Sequence, residues 1–191
     1  MNMPMESQVL GKLFYEAVKS QSRSLYHNVL DVGCGYGIAS AYIYALSEKL
    51  TLIDISKSAI DFLYCQWQHD DNVTVTNGTI HSMYGSYDLI YYFLSFHHIA
   101  NTVSELSKIR SLLASDGELI ICEIYSPSEI PFHLYDAVPY DGFTPQHLSA
   151  ILQENGFWIT QMKKIAVFHH NDSDFDVYIT KCIANVSPQI T

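Results

Sequence analysis

The chain has 191 residues, of which 48% are hydrophobic and 16% charged, and its formal net charge is -10. These values exclude a disordered chain and fit one globular domain with a single core. The only arginines are Arg23 and Arg110, whereas nucleic acids bind to clustered Lys and Arg side chains. We therefore expect no nucleic-acid partner.

The cysteines and the apolar runs indicate the cellular compartment in which we expect the protein. The four cysteines are scattered without a C-x-x-C pair, at Cys34, Cys65, Cys122 and Cys182. We expect buried, unpaired thiols in a reducing cytosol, and hence a cytoplasmic protein. The first residues lack the pattern of a signal peptide, and no apolar run approaches the roughly 20 residues of a membrane span. No spacing of Cys, His and Asp indicates a metal site.

Apolar periodicity and turn residues divide the chain into alternating helices and strands. In chain order, the predicted elements are a helix at 6–20, a strand at 28–32, a helix at 37–48, a strand at 50–54, a helix after Ser56, strands at 72–76 and 87–93, a helix after Thr102, a strand at 118–124, a helix after Thr144, and strands at 158–168 and 174–185.

Several helix boundaries have clear signals. Ser56 and Thr144 are predicted N-caps, Thr102 and Glu105 have the spacing of a capping box, and Gly156 is typical of a C-cap. The predicted inner faces are Ile60, Leu63, Tyr64 and Trp67 in the helix after Ser56, and Val103, Leu106, Ile109 and Leu113 in the helix after Thr102.

The order of elements predicts a fold class. Five strands that alternate with helices predict a parallel, doubly wound α/β sheet with right-handed crossovers. The short polar link HHNDSD predicts that the last two strands form an antiparallel hairpin. Ligands of such sheets bind beyond the carboxyl ends of the strands, near the first strand. The candidate site residues are therefore those that follow the strands.

The stretch 28–40, NVLDVGCGYGIAS, is a strand that leads through three glycines into a helix. Gly33, Gly35 and Gly37 in this order bring backbone N–H groups and a helix N-terminus against a ligand. Ile38 stands where a dinucleotide fingerprint has its third glycine, and a P-loop is absent. Pyrophosphate binding is therefore poorly supported, and a tight turn without a ligand is the alternative.

Asp54 ends the second predicted strand, 21 residues after Gly33. A carboxylate there can accept hydrogen bonds from both hydroxyls of a ribose, and it would repel a 2′-phosphate. The alternatives are a helix N-cap and a solvated loop acid.

Five segments together carry a family resemblance: NVLDVGCGYG, LTLIDIS, VTVTNGTI, YDLIYYFLSFHHI and IRSLLASDGELIICE. In order and spacing they resemble the class I S-adenosylmethionine-dependent methyltransferases, most closely the small-molecule branch that includes ubiquinone and menaquinone biosynthesis. The resemblance covers about residues 25–160. It implies a seven-stranded Rossmann-like sheet of order 3-2-1-4-5-7-6 with strand 7 antiparallel. Residues 1–191 would form a single domain, with a leading helix and linker at 1–24 and the core at 25–191.

The resemblance also implies a site for S-adenosylmethionine and its product S-adenosylhomocysteine. The implied cofactor-binding residues are Asp31, Gly33, Cys34, Gly35, Gly37, Asp54, Ile55, Thr79, Ile80, Phe93, Leu94 and Ser95. Among these, Asp31 would face the amino end of the cofactor and Asp54 its ribose. Many members have an acid at the position of Thr79, which accepts from the adenine amino group. An uncharged hydroxyl there predicts weaker binding and not lost binding.

The segment LSFHHI follows the fourth strand and lacks the NPPY-type motif of methyltransferases that act on amide or base nitrogens. This favours an oxygen, carbon or nitrogen atom of a small molecule as the acceptor. His98 is the first candidate for a general base, His97 the second and His133 the third, because imidazole titrates near neutral pH. For His97 and His98, packing behind the loop is the alternative.

The predicted function is methyl transfer from S-adenosylmethionine to a small-molecule acceptor (EC 2.1.1.-), by in-line displacement. One alternative is a methyltransferase-like protein that binds the cofactor without catalysis. The other is a nucleotide-dependent oxidoreductase, which the G-x-G-x-G spacing disfavours. The chain is too short for a separate acceptor domain, so we expect a monomer with a small acceptor or a homodimer that shares the site. The leading helix is a candidate cover for the cofactor.

Overall fold

The computed structural model describes residues 5–20, 23–125, 138–170 and 173–185. Its helices are α1 (Met5–Lys19), α2 (Ser40–Ile43), α3 (Lys57–Trp67), α4 (Thr102–Leu112) and α5 (Pro145–Glu154). Its strands are β1 (Tyr26–Val32), β2 (Ser47–Asp54), β3 (Val73–Asn77), β4 (Tyr87–Phe93), β5 (Leu113–Tyr125), β6 (Phe157–His170) and β7 (Ser173–Ala184). Short 3₁₀ turns follow α2, β3 and β4, at Tyr44–Leu46, Ile80–Ser82 and Phe96–His98.

All seven strands belong to one sheet of order β3-β2-β1-β4-β5-β7-β6. The pairs from β3 to β5 are parallel, and β7 is antiparallel to both β5 and β6. The predicted order and the antiparallel strand 7 are thereby confirmed. The carboxyl ends of β1, β2, β3 and β4 consequently meet at one edge of the sheet, as the doubly wound topology requires.

Two apolar clusters cover the two faces of the sheet, because the central strands are buried on both sides. On one face, α1 packs its buried Phe14 against β4, with ring centroids 5.4 Å from Tyr91 and 5.2 Å from Phe93. A Cβ on Gly11 would lie 2.9 Å from the Ile38 side chain, so glycine permits this close approach of α1. The helix therefore has a fixed docking site on the sheet and the turn after β1.

Lys181 of β7 lies under the end of α1. Its side chain is 3% exposed, and its Nζ donates to the Val18 carbonyl at 3.4 Å. Burial lowers the pKa of this ammonium. A cation at this end of a helix complements the partial negative charge of the last carbonyls, which stabilises the docking of α1.

Two helix predictions fail in detail. The helix predicted at 37–48 is limited to the four residues of α2 and the following 3₁₀ turn, because Ser47 already pairs with Tyr26 in the sheet. The capping box at Thr102 is wrong: Asn101 is the N-cap and accepts from the Ser104 N–H.

Three side chains that were predicted to be buried are exposed. Two of them, Tyr64 and Val103, were assigned to inner helix faces and are each 61% exposed. Leu113, also assigned to an inner helix face, begins β5 instead. Cys65 is exposed, whereas the other three cysteines are buried. All four thiols are unpaired, as expected.

Other boundaries are confirmed. Ser56 accepts from the Ala59 N–H at 3.4 Å, and Thr144 accepts from the His147 N–H at 3.1 Å. Gly156 follows α5 with a φ of 79°, which is typical of a glycine C-cap.

Candidate active site at the carboxyl edge of the sheet

A cavity of about 770 Å³ opens at the carboxyl ends of β1 to β4. Its size lies in the range of small-molecule sites, which commonly measure roughly 300–1,000 Å³. The lining residues are Val32, Gly33, Gly35, Asp54, Ile55, Gly78, Thr79, Ile80, His81, Leu94, Ser95, His98, Ile99, Ala100, Asn101, Ser104 and Glu105. Nine of the predicted site residues are therefore brought together here: Gly33, Gly35, Asp54, Ile55, Thr79, Ile80, Leu94, Ser95 and His98.

The remaining predicted residues lie outside this lining. Asp31, Cys34, Gly37, Phe93 and His97 sit behind the wall or beside it. His133 lies outside the described residues. No described residue of α1 lines the cavity, and the role of the helix as a cover for the cofactor stays a prediction.

The backbone N–H groups of the glycine turn bond within the protein. Gly33 and Cys34 both donate to the Ile53 carbonyl, at 2.9 and 3.1 Å, and Gly37 donates to the Cys34 carbonyl at 2.9 Å. The Gly35 N–H donates to Asp54 Oδ2 at 2.8 Å. The N–H groups of Gly33, Cys34, Gly35 and Gly37 are therefore already paired and are not aimed at a ligand such as a pyrophosphate.

The glycines instead create room. Gly35 has a φ of 51°, and a Cβ built on it would meet no atom within 4 Å, because the cavity lies in front of it. Gly33 has a φ of 70°, and a Cβ there would lie 2.6 Å from the Ser95 Cβ. Both positions need glycine for their backbone conformation, but only Gly35 leaves open space for a ligand.

The side chain and the backbone carbonyl of Asp54 together connect the ends of three strands. Its Oδ2 accepts from Gly35, and its Oδ1 accepts from the Ser56 N–H at 2.7 Å. Its backbone carbonyl accepts from Asn77 Nδ2 at 2.8 Å and from the Gly78 N–H at 3.0 Å. Each carboxylate oxygen can accept a second hydrogen bond, so the side chain can still receive hydroxyl donors from the cavity.

Asp31 is buried behind the turn. Its Oδ2 accepts from Ser40 Oγ at 2.5 Å and from Tyr91 Oη at 2.7 Å. Its Oδ1 has no hydrogen-bond partner among the described residues. Burial raises the pKa of Asp31 to about 7, although the two hydroxyl donors oppose that rise. An unpaired, buried carboxylate oxygen of this kind is suited to a cationic group or a bridging water.

The chain turns sharply after β4. Leu94 has a φ of 53°, a strained conformation for a residue with a side chain. This turn places Ser95 over Gly33, and Ser95 Oγ donates to the Val32 carbonyl at 2.7 Å. The strain thus positions the wall of the cavity.

The two histidines after β4 have different environments. His97 is 3% exposed, and its Nδ1 lies 2.9 Å from Glu123 Oε2. Its backbone N–H donates to Glu123 Oε1 at 3.1 Å, so Glu123 fixes both the ring and the chain. His98 is exposed and lines the cavity, with its ring centroid 4.2 Å from that of His97.

The cavity also contains a buried carboxylate that the sequence pattern assigned to a helix cap. Glu105 is 4% exposed and lines the cavity. Its Oε1 accepts from Tyr92 Oη at 2.6 Å, and His81 Nε2 lies 3.4 Å from its Oε2. Residues 99–101 and Ser104 also line this side. One feature of the sequence could have indicated the role of Glu105: a glutamate in the apolar face of a helix needs a polar partner.

Among the described residues, no cluster of three or more His, Cys, Asp or Glu side chains could hold a metal ion. In the same part of the chain, no helix combines the length and apolar character needed to cross a membrane.

Comparisons with known proteins agree with this geometry. The family model described as "Methyltransferase domain" matches residues 30–119. (S)-coclaurine N-methyltransferase of Thalictrum flavum subsp. glaucum is 25% identical over 154 residues, which cover 75% of this chain and 42% of that protein. Demethylmenaquinone methyltransferase of Tropheryma whipplei (strain Twist) is 28% identical over 109 residues, which cover 55% of this chain and 46% of that protein. The chain thus spans less than half the length of these curated relatives.

Solved structures share the fold. N-methyltransferase NodS from Bradyrhizobium japonicum WM9, in complex with S-adenosyl-L-homocysteine, superposes with a TM-score of 0.70 and 15% identity. The match covers 94% of this chain and 89% of that chain. The chain is thus similar to methyltransferases in its domain match and in its relatives, and it shares the fold of a solved methyltransferase structure.

Proposed function

We propose that the protein transfers a methyl group from S-adenosylmethionine to a small-molecule acceptor. The observation that carries this proposal is the cavity of about 770 Å³, into which Gly35 leaves open space beside the Asp54 carboxylate. The N–H groups of Gly33, Cys34, Gly35 and Gly37 are paired within the protein, which argues against a pyrophosphate and hence a dinucleotide. The proposal covers residues 1–191 as one domain, with a leading helix and linker at 1–24 and the core at 25–191.

The residues of the cavity fit the parts of this cofactor. Asp54 can accept from the ribose hydroxyls, and the exposed Ile55 and the buried Ile80 supply apolar surface for a purine. Gly35 provides space for close approach, and the unpaired Oδ1 of Asp31 provides acceptor capacity behind the turn.

S-adenosylmethionine, when bound, supplies a methyl group on a positively charged sulfur: an acceptor lone pair bonds to the methyl carbon while the carbon–sulfur bond breaks, and its electrons stay on sulfur. The protein's contribution is alignment and the exclusion of water. An acceptor that carries a proton must also lose it to a base. His98 is our first candidate for that base, because its side chain lines the cavity.

His97 has a different role in this proposal. It lies behind His98 and is held by Glu123 through two contacts, so it positions the segment after β4. His133, the third candidate, rests on the sequence alone. We further propose a cytoplasmic monomer or homodimer without a nucleic-acid partner, which the net charge of -10 supports.

A labelled methyl group tests this function. The protein is incubated with S-adenosylmethionine carrying a labelled methyl and with a small-molecule extract, and the label is followed by chromatography and mass spectrometry. We expect transfer into a low-molecular-mass product together with S-adenosylhomocysteine. Binding of the cofactor without any transfer would favour the non-catalytic alternative.

Substituting His98 tests the base. His98→Gln should lower turnover about 10²- to 10⁴-fold if the acceptor loses a proton, because it removes proton transfer. Affinity for S-adenosylhomocysteine, measured by calorimetry, should change little. His69→Gln, an exposed histidine after α3, is the matched control and should keep full turnover. Full turnover of His98→Gln would remove His98 from the mechanism.

A further inference from the structure

The positive charges of the chain are distributed unevenly with respect to the cavity. The sequence has 10 Lys and Arg residues, yet no lysine or arginine occurs among the described residues that line the cavity. Between Arg110 and Lys163 the sequence contains neither residue type, so the connection that follows β5 adds no such side chain to the carboxyl edge. The side chains in the lining that can carry a charge are Asp54, Glu105, His81 and His98.

The lysines that come nearest in sequence contact other groups. Lys57 follows Asp54 closely, but its Nζ donates to both carboxylate oxygens of Asp61 at 2.7 Å, and its side chain is 78% exposed. Lys108 of α4 lies with its Nζ 5.1 Å from the centre of the Tyr84 ring, and it lines a neighbouring groove. Neither ammonium lines the cavity, so the carboxylates there have no lysine counter-charge in the wall.

Two buried carboxyl groups belong to this edge of the sheet. Glu105 lines the cavity and is 4% exposed, and Asp31 lies behind the glycine turn and is 1% exposed. Burial raises the pKa of both groups, because it disfavours the charged form. The Oδ1 of Asp31 also has no hydrogen-bond partner among the described residues. A positive charge in the cavity would stabilise both ionised carboxylates, and by the same coupling they would favour its binding.

The charge of the acceptor therefore matters for the methyl transfer. When a neutral amine attacks, its lone pair bonds to the methyl carbon, the electrons of the carbon–sulfur bond stay on sulfur, and the positive charge passes from sulfur to nitrogen. Carboxylates in the wall stabilise that charge wherever it lies between the two atoms. An anionic acceptor would instead be repelled by the same carboxylates before it could react. The lining thus favours an amine over an anion.

We propose that the acceptor is a small molecule with a basic amine, positively charged at neutral pH and without a carboxylate or phosphate group. This inference rests on the proposed function and names the class of its substrate. The amine enters as an ammonium ion, and His98, which lines the cavity, takes a proton from it and passes the proton to water. The free amine then attacks, and the products are the methylated ammonium ion and S-adenosylhomocysteine.

The charge of the product tests the proposal before the acceptor is identified. The wild-type protein is incubated at pH 8 with methyl-labelled S-adenosylmethionine and a small-molecule extract. Labelled products are separated from the cofactor by chromatography, and their charge is measured by electrophoresis at pH 7. We expect the label in a cation. A labelled product that is neutral or anionic would overturn this inference and leave the proposed function standing, whereas the absence of any labelled product would overturn both.

A lysine placed in the wall tests the physical cause. Ala100 is exposed and lines the cavity, so Ala100→Lys adds a positive charge there with little risk to folding. With a subsaturating amount of the extract, we expect the rate of label transfer to fall about three- to tenfold at low salt, as two like charges several ångströms apart require. The loss should shrink in 0.5 M salt, because salt screens the repulsion.

The matched control places the same charge elsewhere. Tyr64 is 61% exposed on α3 and does not line the cavity, so Tyr64→Lys should keep the wild-type rate at both salt concentrations. A wild-type rate in Ala100→Lys would overturn the inference. A loss in Ala100→Lys that is equal at low and high salt would also overturn it, because that result would indicate steric hindrance and not repulsion.

Discussion

At the scale of single residues, Asp54 joins the architecture of the site to its proposed ligand. The carboxylate accepts from Gly35 after β1 and from Ser56 at the start of α3, so it fixes the turn that shapes the cavity. The sequence predicted its place at the end of the second strand, because an apolar run that ends in an acid is visible locally. The two backbone contacts join separate turns and follow only from the folded chain.

Asp54→Asn should weaken binding of S-adenosylhomocysteine by about 1–3 kcal/mol, because an amide accepts fewer hydrogen bonds from the ribose. Calorimetry with the product and its 2′-deoxy analogue measures the ribose contribution. The gap between the two ligands should shrink in the variant. Asp88→Asn is the matched control, since Asp88 also accepts from a backbone N–H, that of Asn28, at the other end of β1. Unchanged affinity in Asp54→Asn would show that the ribose contact is misassigned.

Asp31 should make stability depend on pH. Burial raises its pKa from 3.8 to about 7, so the folded protein holds this proton more tightly than the unfolded chain. The resulting stability is fully present below pH 3.8 and is lost as the pH rises to about 7. The asparagine of Asp31→Asn is neutral at every pH. The free energy of unfolding of this variant, relative to that of the wild type, should therefore rise by on the order of 2 kcal/mol between about pH 5 and pH 8. Denaturant unfolding at both pH values measures this. An identical difference at both would contradict a raised pKa.

At the scale of elements, the turn after β1 separates two uses of glycine. Gly33 lies against Ser95, and its side-chain position is filled by protein. Gly35 faces the cavity, where a Cβ at this position would have no neighbour within 4 Å. The spacing G-x-G-x-G predicted a tight turn at a ligand site, but the packing that distinguishes the two glycines comes from β4, about 60 residues later.

The two glycine variants should separate folding from binding. Gly35→Ala introduces a side chain at positive φ and should cost about 1 kcal/mol in stability, yet its Cβ enters the cavity and should reduce affinity for S-adenosylhomocysteine at least about tenfold. Gly33→Ala adds a clash with Ser95 and should cost distinctly more stability. Denaturant midpoints and calorimetry measure both effects. Wild-type affinity in Gly35→Ala would mean that no ligand approaches this turn.

The helix predictions show where local sequence is insufficient. The stretch 37–48 has helical composition, but pairing of β2 with β1 takes Ser47 into the sheet and limits α2 to four residues. At α4, two plausible caps are adjacent in sequence. Burial of Thr102 and the contact between Tyr92 and Glu105 decide in favour of Asn101. Both outcomes depend on neighbours that are distant in the chain.

At the scale of the whole molecule, local signals predicted a parallel, doubly wound sheet with a terminal hairpin, whereas the strand order itself was what the family resemblance implies. The alternation of strands with helices, the terminal hairpin and the family resemblance together gave the arrangement that the sheet shows. The carboxyl edge of the sheet then follows from topology. Long-range polar pairs, such as His97 with Glu123 and Tyr92 with Glu105, had no comparable local signal.

The docking of α1 is a second property of the whole molecule. The helix was a candidate cover for the cofactor, and its apolar face predicted a buried stripe. Phe14 holds it against β4, and Lys181 of β7 contacts its end. No described residue of α1 lines the cavity.

Titration calorimetry of the wild-type chain with S-adenosylhomocysteine, and separately with NAD, is the decisive test of the proposed cofactor. We expect one molecule of S-adenosylhomocysteine to bind per chain and NAD not to bind. The site has open space at Gly35 and an acceptor at Asp54, whereas the N–H groups of Gly33, Cys34, Gly35 and Gly37 are already paired within the protein. Binding of NAD without binding of S-adenosylhomocysteine would refute the assignment.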